Sequence, residues 1–458
     1  MNRVAVIGGG LAGLEFALHA AQKGISVHIY EAGPSFRKRH VNFDVEEIDG
    51  DKKTKYWTNN ENWGSGGGIN ERLGGRSLCY HGVMLPLEDS ALNSWPNSWR
   101  SILTGEEGLY EVILKDLATR YPELMGAKRV NNSLQHVTQA AYLTSDGKFC
   151  SYSPLYYLNP YIEKGLITVE KCTVAKIKRK SDEFFIIDKH GKVRNKFGFG
   201  KCVLAASAII NNTIISRSIE REIYADITDH FCVGIFVKVK EGAPVGVFRH
   251  QMLWSGYSAH HDIDSNIFVM ERPRSNDGDR IIEFMAVMEQ NPLYSSYSTL
   301  HCNPDKKDFV ANIEANLSNY DKSILFSIEG RLVEYASQLL GVELAPLSSA
   351  HIQYGNSVHL KGSADDSRWN TYNSSLDLVN AASNTNIFAR FSLPYGAFEH
   401  ESCCHPISGN HPAALTEGLE LTSLPGVYAL GPGAFPRLGI ANPAMTICAM
   451  SRWLAESI

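Results

Sequence analysis

The feature that most constrains the fold is Gly8-x-Gly10-x-x-Gly13, set directly after the apolar run Val4–Ile7. That run is short enough for a buried parallel strand. Leu14 to Lys23 has helical spacing, with Leu14, Leu18 and Ala21 on one face and Gly24 as its stop. Ile25 to Tyr30 is a second β-rich run, closed by Glu31, 18 positions after Gly13. Strand, glycine turn, helix, strand and terminal acid together predict a dinucleotide site. Gly8 permits the tight turn, Gly10 lets backbone approach a pyrophosphate, and Gly13 lets helix and strand pack closely. Leu11 and Ala12 lie within the turn, where unpaired N–H groups and a positive dipole end face the phosphates. Glu31 is placed to hold ribose hydroxyls. A glycine turn that only packs would not need the second strand or the acid.

At 458 residues the chain exceeds one ordinary core and is expected to form two interleaved domains. A net charge of −5 gives no reason to expect nucleic acid or an anionic membrane as partner. No apolar run approaches the ~18–20 residues of a membrane span, and no secretory signal is visible. The nine cysteines are scattered, with no C-x-x-C pair. Neither a disulfide framework nor a zinc or other metal site is expected, and a reducing cytoplasm is the simplest setting.

Residues 34–62 are polar and read as a surface excursion. Two glycine-rich segments follow, Trp63 to Gly68 and Leu73-Gly-Gly-Arg-Ser-Leu-Cys-Tyr-His-Gly-Val83. Their proximity implies backbone packed against something flat or anionic. Residues 106–125 have helical spacing, and Lys201 to Ile210 is a buried strand that breaks into a helix. Alternating runs from about 225 to 395 predict an antiparallel sheet, covered by helices near 306–318 and 328–340. The expected organisation is a nucleotide domain at 1–224, with insertions near 34–62 and 100–155, a substrate domain at 225–395, and a return to the first domain at 396–458. In that return, Asn442 is the expected N-cap and Pro443 the first residue of a closing helix.

These segments resemble the glucose-methanol-choline oxidoreductases. The resemblance is carried by the opening fingerprint with Glu31, Leu73-Gly-Gly-Arg-Ser, Thr173-Val-Ala-Lys-Ile, Val203-Leu-Ala-Ala-Ser-Ala-Ile, Asp229-His230 and Gly439-Ile-Ala-Asn-Pro-Ala-Met-Thr-Ile. His400-Glu-Ser-Cys-Cys-His405 is most similar to the pyranose-oxidase branch, where a second histidine follows the first. The resemblance implies an α/β Rossmann-like FAD-binding domain with an interleaved antiparallel-sheet substrate domain. It implies an FAD enzyme that oxidises an alcohol, with a sugar, glycoside or similar alcohol as the expected substrate and an unidentified electron acceptor. His400, 42 positions before Asn442, corresponds to the base, His405 is its rival, and Asn442 corresponds to a substrate contact. Histidine suits proton abstraction from C–OH while hydride passes to flavin N5, because its pKa lies near operating pH. Beyond the fingerprint, the implied cofactor contacts are Arg72, Gly75, Ser77, Cys79, Val174, Ala206, Gly431, Pro443, Ala444 and Met445. Cys79 stands where pyranose oxidase attaches its flavin, so a cysteinyl link is an alternative to non-covalent FAD, and His81 is another attachment point. The chain departs from the family at Gly431-Pro-Gly-Ala-Phe-Pro, which lacks the usual acid, and at Cys403-Cys404, which replaces a glycine-threonine pair. A flavin-dependent lyase or isomerase and a silent flavin-binding protein are the competing classes.

Overall fold

The computed structural model describes residues 3–33, 53–60, 63, 68–121, 134–145, 147–241, 253–260, 265–290, 298–306, 310–347, 370–393, 395–396 and 398–458. Its elements in chain order are β1 (Arg3–Ile7), α1 (Leu11–Gln22), β2 (Ser26–Glu31), β3 (Ile167–Lys171), β4 (Lys201–Leu204), α2 (Ala208–Ile219), β5 (His230–Val239), β6 (Gly256–His260), β7 (Ser265–Arg272), β8 (Arg280–Glu289), α3 (Asn319–Leu340), α4 (Asn370–Ala381), β9 (Ile387–Leu393), β10 (Val427–Ala429) and α5 (Ala444–Ser457). Shorter pieces are named by residue.

One sheet is wholly parallel, in the order β10-β4-β1-β2-β3. Its central strands are continuous apolar runs because both faces are covered. Val4 to Ile7 and Cys202 to Leu204 are all at most 3% exposed. α1 and α5 are joined by a buried ion pair, Arg452 Nε to Glu15 Oε1 at 2.6 Å. Tyr152 donates to the same carboxylate at 2.5 Å. The last helix is thereby fixed to the first.

The second large sheet has the order β6-β7-β8-β5-β9, antiparallel throughout, with the two-residue strand Ala345–Pro346 added parallel to β9. Its register sets one face. Met285 of β8 lies opposite Phe268 and Gly234, Val287 lies opposite Cys232, and Cys232 lies opposite Leu393. With a side-chain period of two, these residues share the face that meets the parallel sheet's loops.

Three expectations need correction. α1 begins at Leu11 rather than Leu14, with Gly10 at its cap. Residues 306–318 hold no helix among the described positions. Ala311–Glu314 is a strand paired with Ser298–Cys302 and with Trp57–Asn59, so tertiary pairing overrides the local helical spacing. Residues 53–60 are therefore not a surface excursion, since Trp57 is 3% exposed beneath that sheet. The rest of that excursion, 34–52 and 61–62, lies outside the described residues. No described helix is long and apolar enough to cross a membrane.

Candidate functional site

A single cavity runs from the C-terminal ends of the parallel strands to the antiparallel sheet. At one end the glycine turn behaves as its spacing requires. Gly8 has φ +101, and a Cβ there would lie 2.4 Å from the Ala205 carbonyl oxygen. A Cβ at Gly13 would lie 2.1 Å from the Gly8 carbonyl oxygen. A Cβ at Gly10 would meet nothing within 4 Å, so this backbone faces open cavity. Leu11 and Ala12 line the cavity beside it, and Gly13 does not. Glu31 accepts from the amides of Gly9 and Gly33, each at 2.8 Å. Glu31 lines the cavity, and each of its carboxylate oxygens can accept a further hydrogen bond. Burial pushes its pKa up, opposed by those two amides.

The glycine segment from Leu73 lies on the fingerprint turn. Gly74 N–H donates to Gly9 O at 2.7 Å, and a Cβ at Gly75 would come within 3.1 Å of Gly10. Arg72, Gly75, Ser77 and Cys79 all line the cavity. Ser77 Oγ donates to Gly74 O at 2.6 Å, fixing the turn. Asn70 Nδ2 lies 2.9 Å from Cys79 Sγ. His81 also lines the wall, its ring 5.5 Å from that of Trp254. Val174, Ala206, Gly431, Pro443 and Ala444 line the cavity as well. Met445 is wholly buried behind it. Gly431, at φ +102 and ψ −178, has a backbone conformation that disfavours an acidic side chain.

At the far end His400 and Asn442 line the same cavity. The Asn442 Oδ1 atom is buried without a hydrogen-bond partner among the described residues. Asn442 is not the helix cap: α5 begins at Ala444, with Pro443 as cap residue and no side-chain bond to it. The amide is thus left for something in the cavity. His405 does not line the cavity; it is fully buried, and neither ring nitrogen makes a well-formed hydrogen bond among the described residues. Burial holds its pKa down at about 3. Cys403 and Cys404 are buried, and neither is in a disulfide.

His400 does not stand alone. Its Nδ1 lies 2.8 Å from Nδ1 of His230 at the start of β5. His230 Nε2 lies 2.8 Å from the carbonyl oxygen of Gly439. A carbonyl can only accept, so the His230 proton is on Nε2. Burial pushes the His230 pKa down to about 4, so the ring is neutral near pH 7 and its Nδ1 is an acceptor. His400 must then carry its proton on Nδ1, which leaves Nε2 as a free lone pair. That atom has no partner among the described residues. Burial, then the neighbouring His230 and Arg76, push the His400 pKa well below its usual range, so the imidazole is unprotonated at neutral pH.

The surroundings hold this chain in place. Asp229, wholly buried, accepts from the amides of His230, Glu399 and His400 at 2.7, 3.0 and 3.0 Å. Arg76, from the second glycine segment, forms a fork with Glu401 at 2.6 and 2.9 Å and donates to Glu399 O at 2.7 Å. Gly439 N–H donates to Glu289 at 2.6 Å, and Arg437 Nε donates to the same carboxylate at 2.8 Å. His230, Arg76 and Glu401 lay outside the expected site set. The pair Asp229-His230 was visible in the resemblance, but its role needs the fold that brings β5 beside residues 399–401.

The parallel sheet, the open glycine cradle, the free lone pairs of Glu31 and the unpartnered Asn442 amide fit one extended nucleotide along the whole cavity, and they define an FAD-binding protein. Residues 3–43 match the FAD binding domain family. Pyridoxine 4-oxidase from Mesorbium loti shares the fold, with a TM-score of 0.55 and 12% identity over 100% of this chain and 99% of that one. No curated protein matches in sequence. The two-domain fold implied by the resemblance to glucose-methanol-choline oxidoreductases is the fold this chain has.

Proposed function

We propose that the chain is an FAD-dependent oxidoreductase that oxidises a C–OH group to a carbonyl, with His400 as the base. The observation that carries this reading is the hydrogen-bonded series Gly439 O, His230, His400, which fixes His400 Nε2 as a deprotonated acceptor on the cavity. When bound, FAD supplies the hydride acceptor. The residues around Gly8 to Gly13, with Glu31, would hold its adenosine and pyrophosphate portion. The second glycine segment and the start of α5 would hold the remainder.

His400 Nε2 takes the hydroxyl proton of the substrate. Asn442 holds the substrate oxygen in line, a positioning role for its unpartnered amide. The amide groups at the start of α5 and its positive end favour negative charge developing in the cavity. Two features support an alcohol as donor: a base lacking its proton, and a hydrogen-bonding amide beside it. FAD-loaded His400→Ala is the test, read by anaerobic flavin reduction against a panel of primary and secondary alcohols. Reduction is expected to fall by about 10²–10⁴-fold with FAD content unchanged. Reduction at the wild-type rate would show that His400 is not the base.

A further inference from the structure

The cavity continues beyond the groups assigned to the alcohol. Phe268 and Arg272 of β7 line it, as do Glu283, Met285 and Val287 of β8, all on one sheet face. Glu289 lies opposite His230, whereas Glu283 lies opposite Phe236. Six residues of strand separate these positions, about 20 Å. Between them the lining is Phe268, Met285, Val287 and Trp254, an apolar and aromatic stretch. A free sugar, with a hydroxyl on nearly every carbon, would leave polar groups unpaired there.

Polarity returns at the distant end. Arg272 Nε donates to Glu283 Oε2 at 2.6 Å. Tyr372, from α4, donates to the same oxygen at 3.0 Å, and Arg272 Nη2 contacts the Tyr372 hydroxyl. Both oxygen-bound contacts of Glu283 thus fall on Oε2. Glu283 Oε1 and Arg272 Nη1 are left without partners among the described residues, and both side chains line the cavity. A donor and an acceptor therefore remain open on a charge-matched pair that lines the cavity.

We propose that Arg272 and Glu283 form a recognition subsite for an uncharged group that both donates and accepts hydrogen bonds, such as a carboxamide or hydroxyl, carried on an elongated apolar alcohol. A carboxylate would gain from Arg272 and be repelled by Glu283. An ammonium would meet the reverse. A neutral bifunctional group satisfies both open atoms. This inference rests on the reading that the cavity takes an alcohol at His400.

The test uses the FAD-loaded protein and four probes of one chain length: ω-hydroxydecanamide, ω-hydroxydecanoate, ω-aminodecanol and decanol. Binding is followed by quenching of tryptophan fluorescence, since Trp254 lines the cavity, and turnover by anaerobic flavin reduction. The amide is expected to bind about tenfold more tightly than the other three, the margin of one hydrogen-bonded pair. Glu283→Gln leaves the Arg272 charge unmatched, so the carboxylate should then gain about tenfold on the amide. Equal affinity for all four probes would overturn the subsite. So would a Glu283→Gln variant that weakens all four alike, because the cluster would then only hold α4 to the sheet. If that variant does not fold, the wild-type ranking decides. The amide-first ranking in binding, with no probe reducing the flavin, would sustain the subsite and refute the oxidation reading.

Discussion

Replacing His230 tests the site's logic more sharply than removing the base, because His230 sits behind His400 and is 1% exposed. His230→Phe removes the only acceptor that His400 Nδ1 has among the described residues. It also strips the donor from Gly439 O. A buried donor left without its acceptor costs about 1–3 kcal/mol. His400 escapes that cost by turning its ring or moving its proton to Nε2, and either change withdraws the lone pair from the substrate. The anaerobic reduction rate should fall by about 10–100-fold, the kinetic equivalent of 1.4–2.8 kcal/mol. FAD content should be unchanged. His230 also contributes to the lowering of the His400 pKa, so the acid limb of the reduction rate should move to higher pH in the variant. His230→Gln supplies both groups again, with an amide oxygen for His400 and an N–H for Gly439. It should restore most of the rate, while the acid limb stays shifted because glutamine carries no charge. A merely structural residue would show no such recovery. Wild-type rate and profile in His230→Phe would refute the tautomer argument.

Three further outcomes follow from the geometry. Gly13→Ala places a methyl 2.1 Å from the Gly8 carbonyl oxygen and should cost about 1–3 kcal/mol or more in unfolding free energy. Gly10→Ala meets no protein atom; it should leave the apoprotein midpoint within about 1 kcal/mol of wild type and weaken FAD binding, as titration of the apoprotein would show. Acid should destabilise the fold through its neutral buried histidines. His230 at about 4 and His405 at about 3 both lie below the ordinary 6.5. Their contribution is therefore complete above pH 6.5 and is lost as pH falls toward 4 and 3, at about 1.4 kcal/mol per unit for each histidine. Urea titrations from pH 7 to 4 measure that slope, and His405→Phe, which removes a ring with no well-formed hydrogen bond among the described residues, should flatten it. Acid precipitation tests the Cys79 alternative: non-covalent FAD leaves its yellow colour in the supernatant, and a thioether keeps it in the pellet.

The two ends of the FAD site were legible for different reasons. Gly8, Gly10 and Gly13 are legible from their local spacing: a Cβ would clash at Gly8 and Gly13, and Gly10 faces open space. His400 and Asn442 were legible only through the resemblance, because nothing in a loop histidine or a helix-start asparagine marks it as part of a cavity. Asn442 read most naturally as a cap, and the turn at Pro443 leaves its amide unused. His405 had the same chemistry as His400 and a similar neighbourhood in sequence. Burial separates them: one ring is enclosed behind the wall and the other reaches it. The strands at Trp57–Asn59 and Ala311–Glu314 were missed because each is stabilised by the other and by Ser298–Cys302, far along the chain.

The groups that specify the site share one property. Each couples elements that are distant in sequence, and each coupling uses a charge that burial would otherwise make costly. Arg76 joins the second glycine segment to Glu401, beside the base. Glu289, at the end of the antiparallel sheet, joins Arg437 and the Gly439 amide, five positions before α5 begins. Asp229 gathers three amides from β5 and the His400 loop. The Gly439 carbonyl that sets the proton on His230 is thus itself fixed from the sheet, through Glu289, and His230 is opposite Glu289 in that sheet. One register pair holds both ends of the hydrogen-bonded series. A slip of β5 against β8 would therefore displace the base and its carbonyl anchor together, which is why the position of His400 belongs to the fold and not to the loop that carries it.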